Sequence, residues 1–454
     1  MSQKVVVIHP ELSSHKGADG NVRIHARIPE ASLEEAVGLA RAINLDVVHQ
    51  EIVKLPRITP ATIIGKGTVE RIKGVAKELE AKLIFVDYGL SPVQQRNLEK
   101  AWDAKVIDRT GLILEIFGAR ARTKEGQLQV ELAALSFQRS RLVRSWTHLE
   151  RQRGGFGFMG GPGETQIETD RRLIDERVRR LKEDLESVRA NRKLQRESRK
   201  REPYPIVAIV GYTNAGKSTL FNRLTGSEVF VKDLLFATLD TTMRGLELPS
   251  GKQAILSDTV GFISELPTQL VAAFRATLEE VAEATVILHV RDIGQENTES
   301  EREDVLTILR SLDIDAEHDP RVIEVLNKID SLPEEDHLEL VRRTQRQAGR
   351  VVAVSAMSGE GIDTLLGMID DKLGENRQIL TAHIDIADGK AVAWLYRRGQ
   401  VLGRKDTQKY AQVTVSLEPE DVDRFNAQFG YKWTEPKSSE KKSEKKKPRP
   451  RKKA

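Results

Sequence analysis

A glycine-rich segment that ends in lysine and serine contains the residue types best suited to chemistry. Gly211, Gly216, Lys217 and Ser218 follow the spacing G-x-x-x-x-G-K-S directly after the apolar run 206–210. Such glycines let main-chain N–H groups close on phosphates, the lysine supplies a cation for the β- and γ-phosphates, and the serine hydroxyl coordinates Mg²⁺. The pattern predicts a phosphate-binding loop between a strand and a helix, made of Gly211, Tyr212, Thr213, Asn214, Ala215, Gly216, Lys217 and Ser218.

Three further motifs follow in an order typical of guanine nucleotide sites. Asp258 can hold the metal through water, and the amide of Gly261 can meet the γ-phosphate. Asp330 can accept both the N1 and N2 hydrogens of guanine, a donor pattern that adenine lacks, and a Ser–Ala pair can pack on the base. Each motif follows an apolar strand. We therefore predict a guanine nucleotide site that also contains Asp258, Thr259, Val260, Gly261, Asn327, Lys328, Ile329, Asp330, Ser355 and Ala356.

The segment Phe236–Asp240 lies between the phosphate-loop helix and the next strand, where a first switch region belongs. Thr238 is the candidate for a second protein oxygen on Mg²⁺, ordered only while a γ-phosphate is present. Thr241 and Thr242 are the competing choices. We thus expect Lys217, Thr238 and Gly261 to act in catalysis and Ser218 and Thr238 to bind the metal.

The residue after Gly261 bears on the mechanism. Many GTPases have a glutamine there that orients the attacking water, whereas this chain has Phe262, whose phenyl group can neither donate nor accept that hydrogen bond. We expect slow intrinsic hydrolysis and stimulation by a partner. The carbonyl oxygen of Asn214 is in addition a candidate ligand for K⁺ beside the phosphates.

The elements that must position these residues indicate a multidomain α/β protein. Apolar strands alternate with helices in residues 1–123 and again in 203–376, which predicts an N-terminal α/β domain and a G domain, each with a mainly parallel sheet. Heptad-spaced apolar residues, among them Leu128, Leu132 and Leu135, predict an antiparallel helical hairpin over 124–202. Residues 377–435 resemble a small α+β domain.

The hairpin segment has features of an RNA-binding element. Between Arg139 and Arg201 there are 18 basic and 10 acidic residues. The expected tip holds six glycines, and Thr165 with Glu168 forms a capping-box signature that restarts the helix. Interleaved arginine and aromatic side chains can pair with phosphates and stack on unpaired bases. The aromatic residues at or near this tip are Trp146, His148, Phe156 and Phe158.

Composition excludes several other classes of chemistry. The 454 residues include no cysteine, which rules out disulfides, thiolate metal sites and cysteine nucleophiles. No apolar run is long enough to span a membrane, so we expect a cytoplasmic protein. The net charge of +4 conceals a tail, residues 436–454, that carries +8 and is predicted to be disordered. No heptad run is left unpartnered by the hairpin, and a monomer is expected.

Together with the nucleotide motifs, the segments W-T-H-L-E-R (Trp146–Arg151) and G-P-G-E-T-Q (Gly161–Gln166) resemble the HflX family of translation-factor-class GTPases. The resemblance covers nearly the whole chain except the tail. It implies GTP and Mg²⁺ contacts, and a partner in the large (50S) ribosomal subunit, its rRNA and proteins, with a role in ribosome splitting, rescue or biogenesis. The contacts implied lie at Gly211–Ser218, at Phe236, Ala237, Thr238, Leu239 and Asp240, at Asp258–Gly261, at Asn327–Asp330, and at Ser355, Ala356 and Met357.

Two other classes of function remain open at this stage. The rivals to a GTP-hydrolysing switch that acts on the ribosome are an RNA-modifying enzyme with an accessory GTPase domain and an RNA-binding module whose G domain is inert. Absence of cysteine and of recognisable acceptor chemistry argues against the first. The intact Lys217, Ser218 and Asn327–Asp330 set argues against the second.

Overall fold

The structure, a computed structural model, describes residues 2–12, 27–152, 162–199, 204–226, 236, 242–264, 280–347, 349–374, 378–417 and 419–434. Its contacts divide the chain into two compact units, Met1–Ile369 and Asp370–Ala454. The first contains the N-terminal sheet, a pair of long helices and the sheet that carries the nucleotide motifs. None of the helices in the described ranges is long and apolar enough to cross a membrane.

The N-terminal part is a parallel four-stranded sheet with strand order β2-β1-β3-β4. Alternate residues of β1 point to opposite faces, so Val5 and Val7 enter one core and Val6 and Ile8 the other. The apolar stretches at residues 5–8, 46–53 and 82–87 predict the strands β1 to β3, whereas no such stretch predicts β4. The elements are β1 (Lys4–Leu12), α1 (Pro29–Ala42), β2 (Asp46–Leu55), α2 (Lys66–Glu78), β3 (Leu83–Val86), α3 (Pro92–Trp102), β4 (Lys105–Asp108) and α4 (Arg109–Arg120).

Two long helices follow, α5 (Lys124–Gln152) and α6 (Pro162–Arg199). They are antiparallel, because Arg139 pairs with Asp175 while the earlier Glu131 pairs with the later Arg177. The helix α6 begins at Pro162, before the Thr165 start expected from the capping-box signature. The predicted tip residues Phe156 and Phe158 lie outside the described residues, as do the side chains of Trp146 and His148.

The second sheet has six strands in the order β10-β9-β8-β5-β7-β6. All pairings are parallel except β6–β7 at the edge. The central strand β8 is buried along its whole length. The elements are β5 (Ile206–Gly211), α7 (Lys217–Thr225), β6 (Thr242–Glu247), β7 (Gln253–Asp258), β8 (Val286–Asp292), α8 (Thr298–Arg310), β9 (Val322–Asn327), α9 (Glu334–Arg346), β10 (Val351–Ala353) and α10 (Ile362–Gly374).

The second unit contains an antiparallel sheet with strand order β12-β13-β11-β14. Helices cover a core built around Phe425, which is fully buried. The sequence predicted two of its strands and both helices, and the confirmed fold class is a multidomain mixture of α/β layers and this α+β unit. Its elements are β11 (Gln378–Asp385), α11 (Gly389–Arg398), β12 (Gln400–Asp406), β13 (Tyr410–Leu417), α12 (Pro419–Phe429) and β14 (Trp433–Thr434).

Candidate nucleotide site

The phosphate-loop motif lies between β5 and α7, as its spacing predicts. Gly211 ends the strand at φ +155°, and a Cβ there would lie 2.2 Å from the main-chain oxygen of Val290. Gly216 opens the helix at φ +84°. Both positions need glycine, the first because the neighbouring strand is too close and the second because its backbone is left-handed.

The lysine of the motif points back into the loop. Its Nζ donates to the main-chain oxygen of Tyr212 at 2.6 Å. Burial lowers the pKa of Lys217 to about 8, although the carboxylates of Asp258 and Glu301 oppose that shift. A Cβ added to Gly261 would lie 3.1 Å from this Nζ. The structure therefore brings the lysine and the glycine of the second motif together, as expected of groups that act on one phosphate.

Ser218 and Asp258 meet beside the loop. The serine hydroxyl donates to Oδ2 of the aspartate at 3.0 Å. A hydroxyl and a carboxylate are hard oxygen ligands of the kind Mg²⁺ takes, so this pair fits the ion. In the described ranges, no group of three or more His, Asp or Glu side chains offers another metal site. Ala237, Thr238, Leu239 and Asp240 lie outside the described residues, so the predicted second metal ligand stays a prediction.

Asn327 connects the phosphate loop to the predicted base-binding loop. Its Nδ2 donates to the oxygen of Ala215 at 2.8 Å, and its Oδ1 accepts from the amide of Ala356 at 3.0 Å. Asp330 lies in a short 3-10 turn, Ile329–Ser331, with an exposed side chain. The sequence motifs are thus joined by a buried side-chain amide that fixes one loop against the other.

Arg223 on α7 is a residue that the motif analysis missed. Its guanidinium donates to the main-chain oxygen of Ala356 at 3.1 Å and also to that of Met357. The Met357 side chain is 71% exposed. Arg223 therefore holds the Ser355–Met357 loop against α7 through these two hydrogen bonds. The role has no sequence signature because the bonded residues are more than 130 positions apart.

The N-terminal domain contacts the first residue of the predicted switch segment and a residue shortly after Gly261. Phe236 is buried, and its ring meets that of Phe117 on α4 edge-on at 4.6 Å. Ser264, three residues after Gly261, bonds to Arg109, which begins α4. Phe262 is 3% exposed, and its main chain pairs with the phosphate loop on both sides of Tyr212. These tertiary contacts join the nucleotide site to the N-terminal sheet.

Comparison with known proteins agrees with this geometry. A curated protein named GTPase HflX from Magnetococcus marinus is 46% identical over 424 residues, covering 92% of this chain and 96% of that protein. The chain belongs to the HflX family. The GTPase HflX of Escherichia coli K12 is 45% identical over 74% of this chain and 78% of its own length. The predicted family is therefore confirmed.

Family models match along almost the whole HflX chain. They are described as GTP-binding GTPase N-terminal (30–118), GTP-binding GTPase middle region (120–199), 50S ribosome-binding GTPase (206–328) and HflX C-terminal domain (339–440). A crystal structure described as the SsGBP and GDP complex is 24% identical, with a TM-score of 0.47 over 81% of this chain and 98% of that one. The chain is a GTP-hydrolysing enzyme with a G domain of the 50S ribosome-binding type.

Proposed function

We propose that this HflX protein binds the large ribosomal subunit and uses GTP binding and hydrolysis to split or rescue ribosomes, or to act in their assembly. The supporting observation is that Phe236, the first residue of the predicted switch segment, and Ser264, three residues after Gly261, both contact the N-terminal domain. A change at the γ-phosphate would therefore reach the N-terminal sheet, the helix α5 that shares its core, and the helix α6 that packs against α5. The net positive charge of 139–201 supports rRNA as part of the partner surface.

In this proposal the predicted site residues keep the roles that their motifs suggest. The loop Gly211–Ser218 binds the phosphates, with Lys217 on the terminal one, and Asp330 selects guanine. Ser218 and Thr238 would hold Mg²⁺, which supplies charge neutralisation at the β- and γ-phosphates. Asn214 is the proposed K⁺ ligand, and equal hydrolysis rates in sodium and potassium salts would remove that assignment.

Sedimentation tests the partner. The protein is mixed with separated subunits in GTP, GDP or a non-hydrolysable GTP analogue, and we expect it to migrate with the large subunit only in the triphosphate states.

Loss of light scattering by intact ribosomes after GTP addition tests splitting. Lys217→Ala is the matched variant, and nucleotide-independent ribosome release by it would favour the alternative, an RNA-binding protein with an accessory GTPase domain.

Turnover tests the role of the partner. Because Phe262 cannot orient water, GTP hydrolysis by the isolated protein is expected to be slow and to rise when large subunits are added. Equal turnover with and without saturating subunits would contradict this part of the proposal.

A further inference from the structure

Tyr212 occupies a variable position of the phosphate-loop motif, yet its hydroxyl is at the centre of a buried polar network. The side chain is 3% exposed. The hydroxyl donates to a carboxylate oxygen of Glu35, which lies on α1 of the N-terminal domain. It accepts the main-chain N–H of Ser264 at 2.9 Å and an N–H of Arg27 at 3.0 Å. Its one donor and both acceptor sites are therefore used.

Glu35 in turn is held by two arginines. Arg109 bonds to its Oε1 and also to the hydroxyl of Ser264 at 2.6 Å, and Arg27 approaches its Oε2 at 3.4 Å. Burial alone would raise the pKa of Glu35, but the two guanidinium groups and the tyrosine hydroxyl hold it below its ordinary value. The carboxylate stays ionised and is a fixed acceptor for Tyr212.

Tyr212 also contacts the second motif through the main chain. It pairs with Phe262 in an isolated bridge, in which the amide of Phe262 donates to Gly211 and its oxygen accepts from Thr213. The segment containing Gly261 is thus held at Phe262 by main-chain hydrogen bonds and at Ser264 by the tyrosine hydroxyl. The Gly261 amide, which is expected to meet the γ-phosphate, lies one residue before the first anchor and three residues before the second.

We propose that Tyr212 is a positioning residue for GTP hydrolysis. Glu35 of the N-terminal domain fixes the tyrosine hydroxyl, which holds Ser264 and thereby the segment that begins three residues earlier at Gly261. Neither Tyr212 nor Glu35 touches the reacting atoms. The ring of Tyr212 also lies against Arg27, whose guanidinium carbon is 5.2 Å from the ring centroid. Docking of the N-terminal domain therefore orders the segment that senses the terminal phosphate, which is the preorganisation that an electrostatic site requires.

The variant Tyr212→Phe tests this inference with the isolated, full-length protein. It keeps the ring and its contact with Arg27 and removes only the hydroxyl. Single-turnover hydrolysis of GTP is expected to slow by about tenfold, while the Kd for GDP stays within about twofold, because ground-state binding does not use this group. Tyr204→Phe, the same change at an exposed tyrosine, is the matched control and should leave both quantities unaltered.

A double-mutant cycle separates positioning from simple packing. If Glu35 acts through the hydroxyl, Glu35→Ala should slow hydrolysis alone but add little in the Tyr212→Phe background. Glu35→Gln, which keeps an acceptor oxygen, should recover part of the rate lost in Glu35→Ala, and it serves as the test if the alanine variant does not fold. Unchanged or faster hydrolysis by Tyr212→Phe, or additive losses in the cycle, would overturn the proposal.

Discussion

The substitution Gly216→Ala should uncouple the phosphate loop from the base-binding loop. At φ +84° a Cβ on this residue would lie 2.3 Å from Nδ2 of Asn327. The side-chain amide must then move, which breaks its bonds to Ala215 and Ala356. Each such bond contributes about 0.5–1.5 kcal/mol net. The two bonds together amount to about 1–3 kcal/mol, and because about 1.4 kcal/mol is a factor of ten, GDP binding should weaken by about 5- to 140-fold.

The chain supplies a matched control at the other end of the same helix. Gly226 also has a left-handed backbone, at φ +61°, but a Cβ there has no heavy atom within 4 Å. Gly226→Ala therefore carries the same type of backbone strain, about 1–2 kcal/mol, without the contact. Calorimetric titration with GDP should show an unchanged Kd for Gly226→Ala and a raised Kd for Gly216→Ala.

Two further measurements identify the cause. A methyl group that merely obstructs the phosphates would weaken GDP and ADP equally, whereas a displaced Asn327 should also reduce the preference for guanine. In an Asn327→Ala background the methyl has no amide to displace, and the additional loss from Gly216→Ala should shrink. Equal GDP affinity for the Gly216→Ala and Gly226→Ala variants would refute the reasoning.

Three other predictions concern charged residues outside the motifs. Arg109→Met removes the guanidinium that two buried carboxylates, Glu35 and Asp87, share. It should lower the free energy of unfolding by about 3–5 kcal/mol, against at most about 1 kcal/mol for Arg71→Met in an exposed pair, as denaturant melts would show. Burial raises the pKa of Glu301 to about 7, so its ionisation destabilises the fold progressively as pH rises from about 4.5 through 7; Glu301→Gln should therefore raise the melting temperature at pH 8 and much less at pH 5. Arg223→Met removes two bonds to the loop at Ala356 and should weaken GDP binding by about tenfold in a fluorescence titration, and an unchanged Kd would contradict that support role.

The sequence predicted those parts of the fold and site that depend on local patterns. Glycine spacing located the phosphate loop, and buried strands on either side located the sheet that carries it.

The helix α5 shows where local patterns fail. Its most buried apolar residues are Val130 and Ala133, whereas the predicted Leu128 and Leu132 are only partly buried. A heptad pattern describes the packing of a helix against one partner helix, whereas α5 packs against three, namely α3, α4 and α6.

The polar network around Tyr212 could not be predicted for a different reason. Glu35 precedes Tyr212 by 177 residues, and Ser264 follows it by 52. No spacing rule links such positions, because Ser264 reaches Tyr212 through the tertiary fold of the G domain and Glu35 reaches it only through docking of the N-terminal domain. The phosphate-loop pattern also leaves the residue after its first glycine undefined. The pattern shows only which positions need a particular backbone geometry. A side chain at a variable position can therefore contact another domain without changing the phosphate loop.

The burial of Phe262 relates these contacts to the mechanism of GTP hydrolysis. Its phenyl group is 3% exposed and its main chain is bonded to the phosphate loop, so the position after Gly261 acts as an anchor and contributes no polar group to the attacking water. The anchor at Phe262 and the Tyr212–Ser264 bond both lie on the C-terminal side of Gly261, and together they restrain the segment that carries its amide. Within the described part of the site, Gly261 offers a main-chain donor for the γ-phosphate, whereas the side chain that follows it cannot orient water. Because the donor is already placed, one polar group from a bound partner would complete the site, and its effect would fall on kcat and leave nucleotide affinity unchanged.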